Sequence, residues 1–168
     1  MTGTPSPSRR VPSEPGDFPE SGPYSLPPLT HRLAARLIDL VIVTLPVVAI
    51  AIGFVEVDGG EVRIEDVPWW LLGVQVGVAV IYETVLIAWW GTTVGKWALG
   101  MRVVRYADGK RPDVTRASQR SLLPNMFAAV PIAFVSLLQW VVYGSSATHP
   151  LRRGWHDRYA GTLVVRSR

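Results

Sequence analysis

Residues 68–90 read PWWLLGVQVGVAVIYETVLIAWW. The stretch holds one charge, Glu83, and exceeds the roughly 20 apolar residues a membrane-crossing helix needs. Pro68 suits the first turn of a helix, where its missing N–H is no loss. Trp69–Trp70 and Trp89–Trp90 bracket the run, as aromatic side chains do where a spanning helix meets the lipid–water boundaries. Gly73 and Gly77 make a GxxxG, which reads either as a close helix-packing contact or as the ordinary glycine usage of membrane helices.

Two further apolar runs flank this one. Leu37 to Val55 reaches about 28 Å as a helix, enough to cross with little tilt, and Pro46 is expected to kink it. Leu122 to Tyr143 contains Pro124 and Pro131. Of the 168 residues 48% are hydrophobic and 18% charged, with most charges outside the three runs. That segregation argues against a soluble globular enzyme, and the absence of cysteine excludes disulfides, zinc–thiolate sites and Cys nucleophiles. The net charge of +4 comes from basic residues beside apolar runs, so its natural partner is anionic lipid and not nucleic acid. Residues 1–28 hold eight of the 14 prolines and read as a disordered tail. The membrane domain is then 29–168, with helices at about 32–55, 68–90 and 114–143.

The loops set an orientation. Residues 91–121 carry seven Lys and Arg, and residues 56–67 carry one, with a turn at Asp58-Gly59-Gly60. The positive-inside rule therefore places 91–121 and the N-terminus in the cytoplasm. Three simple crossings would put the tail after Tyr143 outside, yet that tail holds five arginines. The conflict disappears if 122–143 is a re-entrant helical hairpin broken at Pro131. The short β-prone segments near 101–106 and 162–166 also favour a hairpin, because pairing them requires both on one side. The fold expected is an all-α membrane protein with two firm transmembrane helices. A third apolar segment is a single span or a re-entrant hairpin, and a small cytoplasmic β pairing joins 101–106 to 162–166. A helix from Val114 would be capped by Asp113.

Two carboxylates lie inside the apolar runs. Asp39 shares a helix face with Arg32 and Arg36, and reads as an interfacial Arg–Asp pair ahead of a transport group. Glu83 has no basic residue in its own helix and reads equally as functional or as paired with Arg32, Arg36 or Lys96. Polar stripes at Gln75, Tyr82 and Glu83, and at Asn125, Ser136, Gln139 and Tyr143, are expected to face each other. GTTVGKW, with Gly91, Thr92, Gly95 and Lys96, resembles a phosphate loop but has the wrong spacing and no Ser or Thr after the lysine, so nucleotide binding is rejected. His156-Asp157 lacks an arranged serine, so a catalytic dyad is not expected. The three histidines make no metal-ligand spacing. The chain is expected to be no enzyme, with no metal, cofactor, nucleotide or nucleic acid.

Three blocks carry a resemblance: HRLAARLIDLVIV at 31–43, GTTVGKWALGMRVVR at 91–105 and RRGWHDRYAGTLVVR at 152–166. They resemble, in order, the hallmark blocks of the RDD family of small bacterial membrane proteins, over about residues 29–168. The resemblance implies that the arginine and two aspartates of the family name fall on Arg32 (Arg36 is the alternative), Asp39 and Asp157. It also implies a multi-pass protein of the cell membrane, related to transport of a small solute or to monovalent cation/proton exchange. The competing expectation is a non-catalytic accessory subunit that docks another membrane protein. Beyond the lipid bilayer, the partners considered are a second copy of the chain or another membrane protein.

Overall fold

The computed structural model describes residues 14–58, 61–63, 68–128 and 133–168, with side chains at 56–58, 61–63 and 133–136 left aside. The chain order is α1 (Leu29–Ile52), a hairpin of β1 (Glu56–Asp58) and β2 (Glu61–Arg63), and α2 (Trp70–Trp90). There follow α3 (Val94–Ala98), β3 (Met101–Arg105), α4 (Val114–Ala128), α5 (Ala133–Gly144), α6 (Trp155–Tyr159) and β4 (Thr162–Arg166). The fold is mostly helical, and α1 and α2 are the two helices long and apolar enough to cross a membrane.

In each of those helices only 22% of the most apolar window is buried. The core helix of a soluble protein would be mostly covered. Here Leu37, Val41, Leu45 and Val48 of α1, and Ile81, Trp89 and Trp90 of α2, face outward. The sequence places α1 at about 32–55; it runs three residues earlier at both ends, because the turn after Ile52 precedes the β1–β2 hairpin. It continues unbroken through Pro46. Gly91 ends α2 in the left-handed conformation (φ 72°) that only glycine adopts freely, and its N–H donates to the Ile87 carbonyl.

The third apolar run is two helices, not one. α4 and α5 pack along each other with four residues between them, and Pro131 lies in that gap, outside the described residues. Arg116 in the first turn of α4 donates to the Ala160 carbonyl just after α6, and Tyr143 near the end of α5 packs on His156 of α6, so the chain leaves the pair at the end where it entered. Asp113 caps α4 by accepting the Arg116 N–H at 2.8 Å.

β3 and β4 pair antiparallel with Val103 opposite Val164 and Arg105 opposite Thr162. Alternation along the strands gives the ribbon two buried faces. Met101, Val103 and Val164 pack with Ala35, Ile87, Ala88 and Ala117 of the helices. Val104, Leu163 and Val165 pack with Leu151 and Phe18. The second half of the expected disordered tail therefore differs from expectation. Phe18 is buried, and Tyr24 and Ser25 exchange backbone hydrogen bonds with Arg166. A proline-rich segment cannot form its own helix, but it can border a sheet edge and bury one aromatic ring.

Candidate functional site

Charged side chains from five elements meet where the β3–β4 ribbon joins the helices. Asp39, in the second quarter of α1, is 2% exposed. It accepts hydrogen bonds from the Tyr82 hydroxyl at 2.8 Å, the Thr93 hydroxyl at 2.6 Å and the Gly95 N–H at 2.8 Å. Lys96 Nζ stands 3.7 Å from the same carboxylate. The Gly91–Lys96 loop thus wraps a carboxylate of the protein itself. Gly95 must be glycine there, since an added Cβ would lie 2.2 Å from the Ala35 carbonyl oxygen.

Glu83 of α2 is shared among three cations: Arg120 at 2.8 Å, Arg36 at 3.3 Å and Lys96 at 3.5 Å. Arg120 spans two carboxylates, since its Nε donates to Asp157 at 2.8 Å while its Nη1 donates to Glu83. Asp157 also accepts from the Thr162 hydroxyl at 3.2 Å and lies 3.8 Å from Arg32. Arg32 in turn donates to the carbonyls of Arg152 and Val164, tying α1 to the β4 side of the molecule. Asp39, Lys96, Glu83, Arg120, Asp157 and Arg32 form one continuous chain of opposite charges.

Tyr143 lies among these groups. The Arg36 guanidinium sits 4.4 Å over its ring, and the His156 ring approaches at 5.0 Å from centroid to centroid. Burial pushes His156 down to about 4, against the pull of Asp157, so it is neutral at pH 7. Burial alone would raise the Asp157 carboxyl, but Arg120, with Arg32 behind it, holds it below the usual carboxylate range. With His156 neutral, the arginines supply that effect. Burial also lowers the Lys96 ammonium, although Glu83 and Asp39 oppose the shift.

Two cavities border the network. One, of about 320 Å³, is lined by Arg32, Lys96, Arg120, Tyr143 and His156 among others. The other, of about 580 Å³, runs between the helices and is lined by Thr44, Gln75, Tyr82, Asn125 and Gln139 among others. Of the polar stripes, Gln75 and Tyr82 face Asn125 and Gln139 across this second space, Glu83 and Tyr143 line the first, and the Ser136 side chain lies outside the described residues; Gln75 reaches across to the Thr44 hydroxyl of α1 at 3.0 Å.

Several residues stand differently from the sequence reading. The Arg–Asp pair within α1 does not form: Arg36 reaches Glu83, Arg32 reaches Asp157, and Asp39 takes Lys96. Three to seven residues along one helix orient side chains alike, and the partner was decided by what the next elements brought opposite. Among the described residues Gly73 and Gly77 make no close packing contact, since an added Cβ at either would meet nothing within 4 Å. The close approach belongs instead to Gly95 of α3, against the α1 backbone at Ala35. Arg120, Tyr82 and Thr93 were not read as site residues. Arg120 flanks the third apolar run as Arg32 and Arg36 flank the first, and that position was the available signal. Among the described residues no three metal-ligating side chains converge.

These features define a small helical membrane-associated protein with a buried charge network joining two apolar helices to a two-stranded ribbon. The chain belongs to the RDD family, whose model matches residues 26–161. Comparison with curated proteins and with solved structures gave no match.

Proposed function

We propose that this chain is a multi-pass protein of the cytoplasmic membrane that moves, or helps to move, a small solute or a monovalent cation in exchange for protons. The observation that carries the reading is the shared set of partners: three buried carboxylates divide four basic side chains, Lys96 and Arg120 buried and Arg32 and Arg36 half-buried, beside two cavities. Ionisable groups within apolar helices are costly and are kept where they serve a pathway. Lys96 lies within 4 Å of both Asp39 and Glu83, so a proton or cation arriving at one carboxylate releases an ammonium that the other can take. Such partner exchange is the means by which a charge can be loaded and unloaded without an unpaired ion. No bond of a substrate is broken, and no nucleotide, nucleic acid or cofactor enters the reading.

The same reading sets the N- and C-termini in the cytoplasm, with α1 and α2 crossing and the α4–α5 pair entering and leaving on the cytoplasmic side. The Arg-rich segment after Tyr143 and the β3–β4 pairing support it. A reporter at the C-terminus is expected to be active only as a cytoplasmic fusion. Activity as a periplasmic fusion alone would reject this topology.

The transport test is flux. Purified protein in proteoliposomes with an internal pH-sensitive dye is expected to move protons on imposition of a monovalent cation gradient. Asp39→Asn and Glu83→Gln are expected to abolish that movement. A second reading, an accessory subunit, is favoured by the outward Gly73–Gly77 face and by the full pairing of the charges. Silent proteoliposomes, together with co-purification of a fixed membrane partner, would establish that reading instead.

A further inference from the structure

The two cavities lie end to end. Along α1 the first is lined by residues from Leu29 to Arg36, the second by residues from Arg36 to Val47. Together they follow about 27 Å of helix at about 1.5 Å per residue, close to the thickness of a hydrocarbon core. The boundary falls at one level on every helix. On α2 it lies between Tyr82 and Glu83, on α4 between Asn125 and Arg120, and on α5 between Gln139 and Trp140. Arg36 is the residue that lines both.

We infer that Arg36, held between Glu83 and the Tyr143 ring, is a partition that keeps these two cavities from joining into one path through the helices. Its restraints are few. Among the described residues the guanidinium makes one ion pair, at 3.3 Å, and one stacking contact, at 4.4 Å. Releasing it leaves Glu83 with both Arg120 and Lys96, so no carboxylate is stranded when the side chain swings away. Arg120 is the opposite case, because its movement would strip two carboxylates at once. An arginine on a flexible stem, with a carboxylate that can spare it, is suited to open and reclose. The partition itself follows from the geometry; its role as a gate rests on the transport reading proposed above.

The chain has no cysteine, so one introduced thiol is the single reactive one. Ala147→Cys places a thiol in the first cavity and Thr44→Cys in the second. Each full-length variant is treated in membrane vesicles of both orientations with a membrane-impermeant methanethiosulfonate. From the side that labels Ala147→Cys, Thr44→Cys is expected to react about tenfold more slowly or worse, since thiol reactivity follows water access. Adding Arg36→Ala is expected to speed the labelling of Thr44→Cys by about tenfold, and Tyr143→Leu, which keeps every charge, to speed it as well. Equal labelling of the two thiols in the native background overturns the partition. So does an unchanged rate for Thr44→Cys when the accompanying variant is well folded. Faster labelling beside silent proteoliposomes leaves the partition standing and removes the transport reading alone.

Discussion

Arg120 joins Glu83 to Asp157, and it is 3% exposed. Removing one partner of a buried charge pair leaves the other without compensation, at a cost of roughly 3–5 kcal/mol. Arg120→Ala is therefore expected to destabilise by about that amount, measured by thermal unfolding in detergent. Combining it with Asp157→Asn should lose less than the sum of the two single losses, because one shared contact is removed twice; strict additivity would show that the contact carries no weight. Gly95→Ala is a steric counterpart. Its methyl would drive into backbone at Ala35, so it should cost on the order of 1–3 kcal/mol, whereas Gly73→Ala should not lower the melting temperature. His156 supplies a pH dependence. Its folded value of about 4 lies below the ordinary 6.5, so the unfolded chain takes up the proton first as pH falls. The stability it confers is complete above about 6.5 and disappears as pH falls toward 4, on the order of 3 kcal/mol in all. His156→Gln should flatten the melting temperature between pH 6.5 and 5; an unchanged slope would assign the acid sensitivity elsewhere. Sequence reading could place Arg32, Arg36, Asp39, Glu83 and Asp157 beside apolar runs, because an ion in such a setting is conspicuous. It named Arg36 and Lys96 among the partners of Glu83, and both ion pairs form, but it missed Arg120, whose two carboxylates come from other elements.

The elements were easier to read than the contacts. The Trp-bracketed α2 was evident from hydropathy alone, since lipid imposes length and composition on a helix. The pairing of MRVVR with TLVVR was evident because neither strand is stable alone. The third run was ambiguous because 22 apolar residues suit one helix by length, while its loop charges and prolines suit two. Phe18 was invisible for another reason: one aromatic in a proline-rich segment carries no period, and only the far face of the ribbon gives it a place. β4 is the element on which most depends. Deleting residues 162–168 would uncover Met101, Val103 and Val104 and remove the Val164 carbonyl that Arg32 uses. The truncated chain is expected to accumulate poorly in membranes or to unfold at markedly lower temperature. Normal accumulation and melting would mean that the helices hold the charge network without the ribbon.

For the whole molecule, the architecture is two apolar helices exposed around their outer faces, a helical hairpin packed against α2, and a ribbon that fastens the ends. Around α1 and α2 the polarity is inverted relative to a water-soluble domain, with charges inside and leucine and valine outside, while the ribbon keeps an apolar core of its own. Replacing Gly73 and Gly77 with leucine tests what lies beyond the single chain. Such changes should leave the monomer's unfolding little altered, because a Cβ at either position meets nothing within 4 Å among the described residues. If a second chain or a partner docks on that face, cross-linking yield should fall while stability is kept. Unchanged cross-linking would place any association on another surface.

The long reach of the Arg32–Asp157 contact bears on how the molecule is made. At a synthesis rate of about 5–20 residues per second, Asp157 emerges roughly ten seconds after Arg32, about 125 residues later. Arg36 and Asp39 of the first helix meet Glu83 and Lys96 within about the first half of that interval, whereas Arg32 waits for its carboxylate to the end. Asp157 is thus the last of the counter-charges to be made, so a nascent chain carries one unpaired arginine until α6 docks.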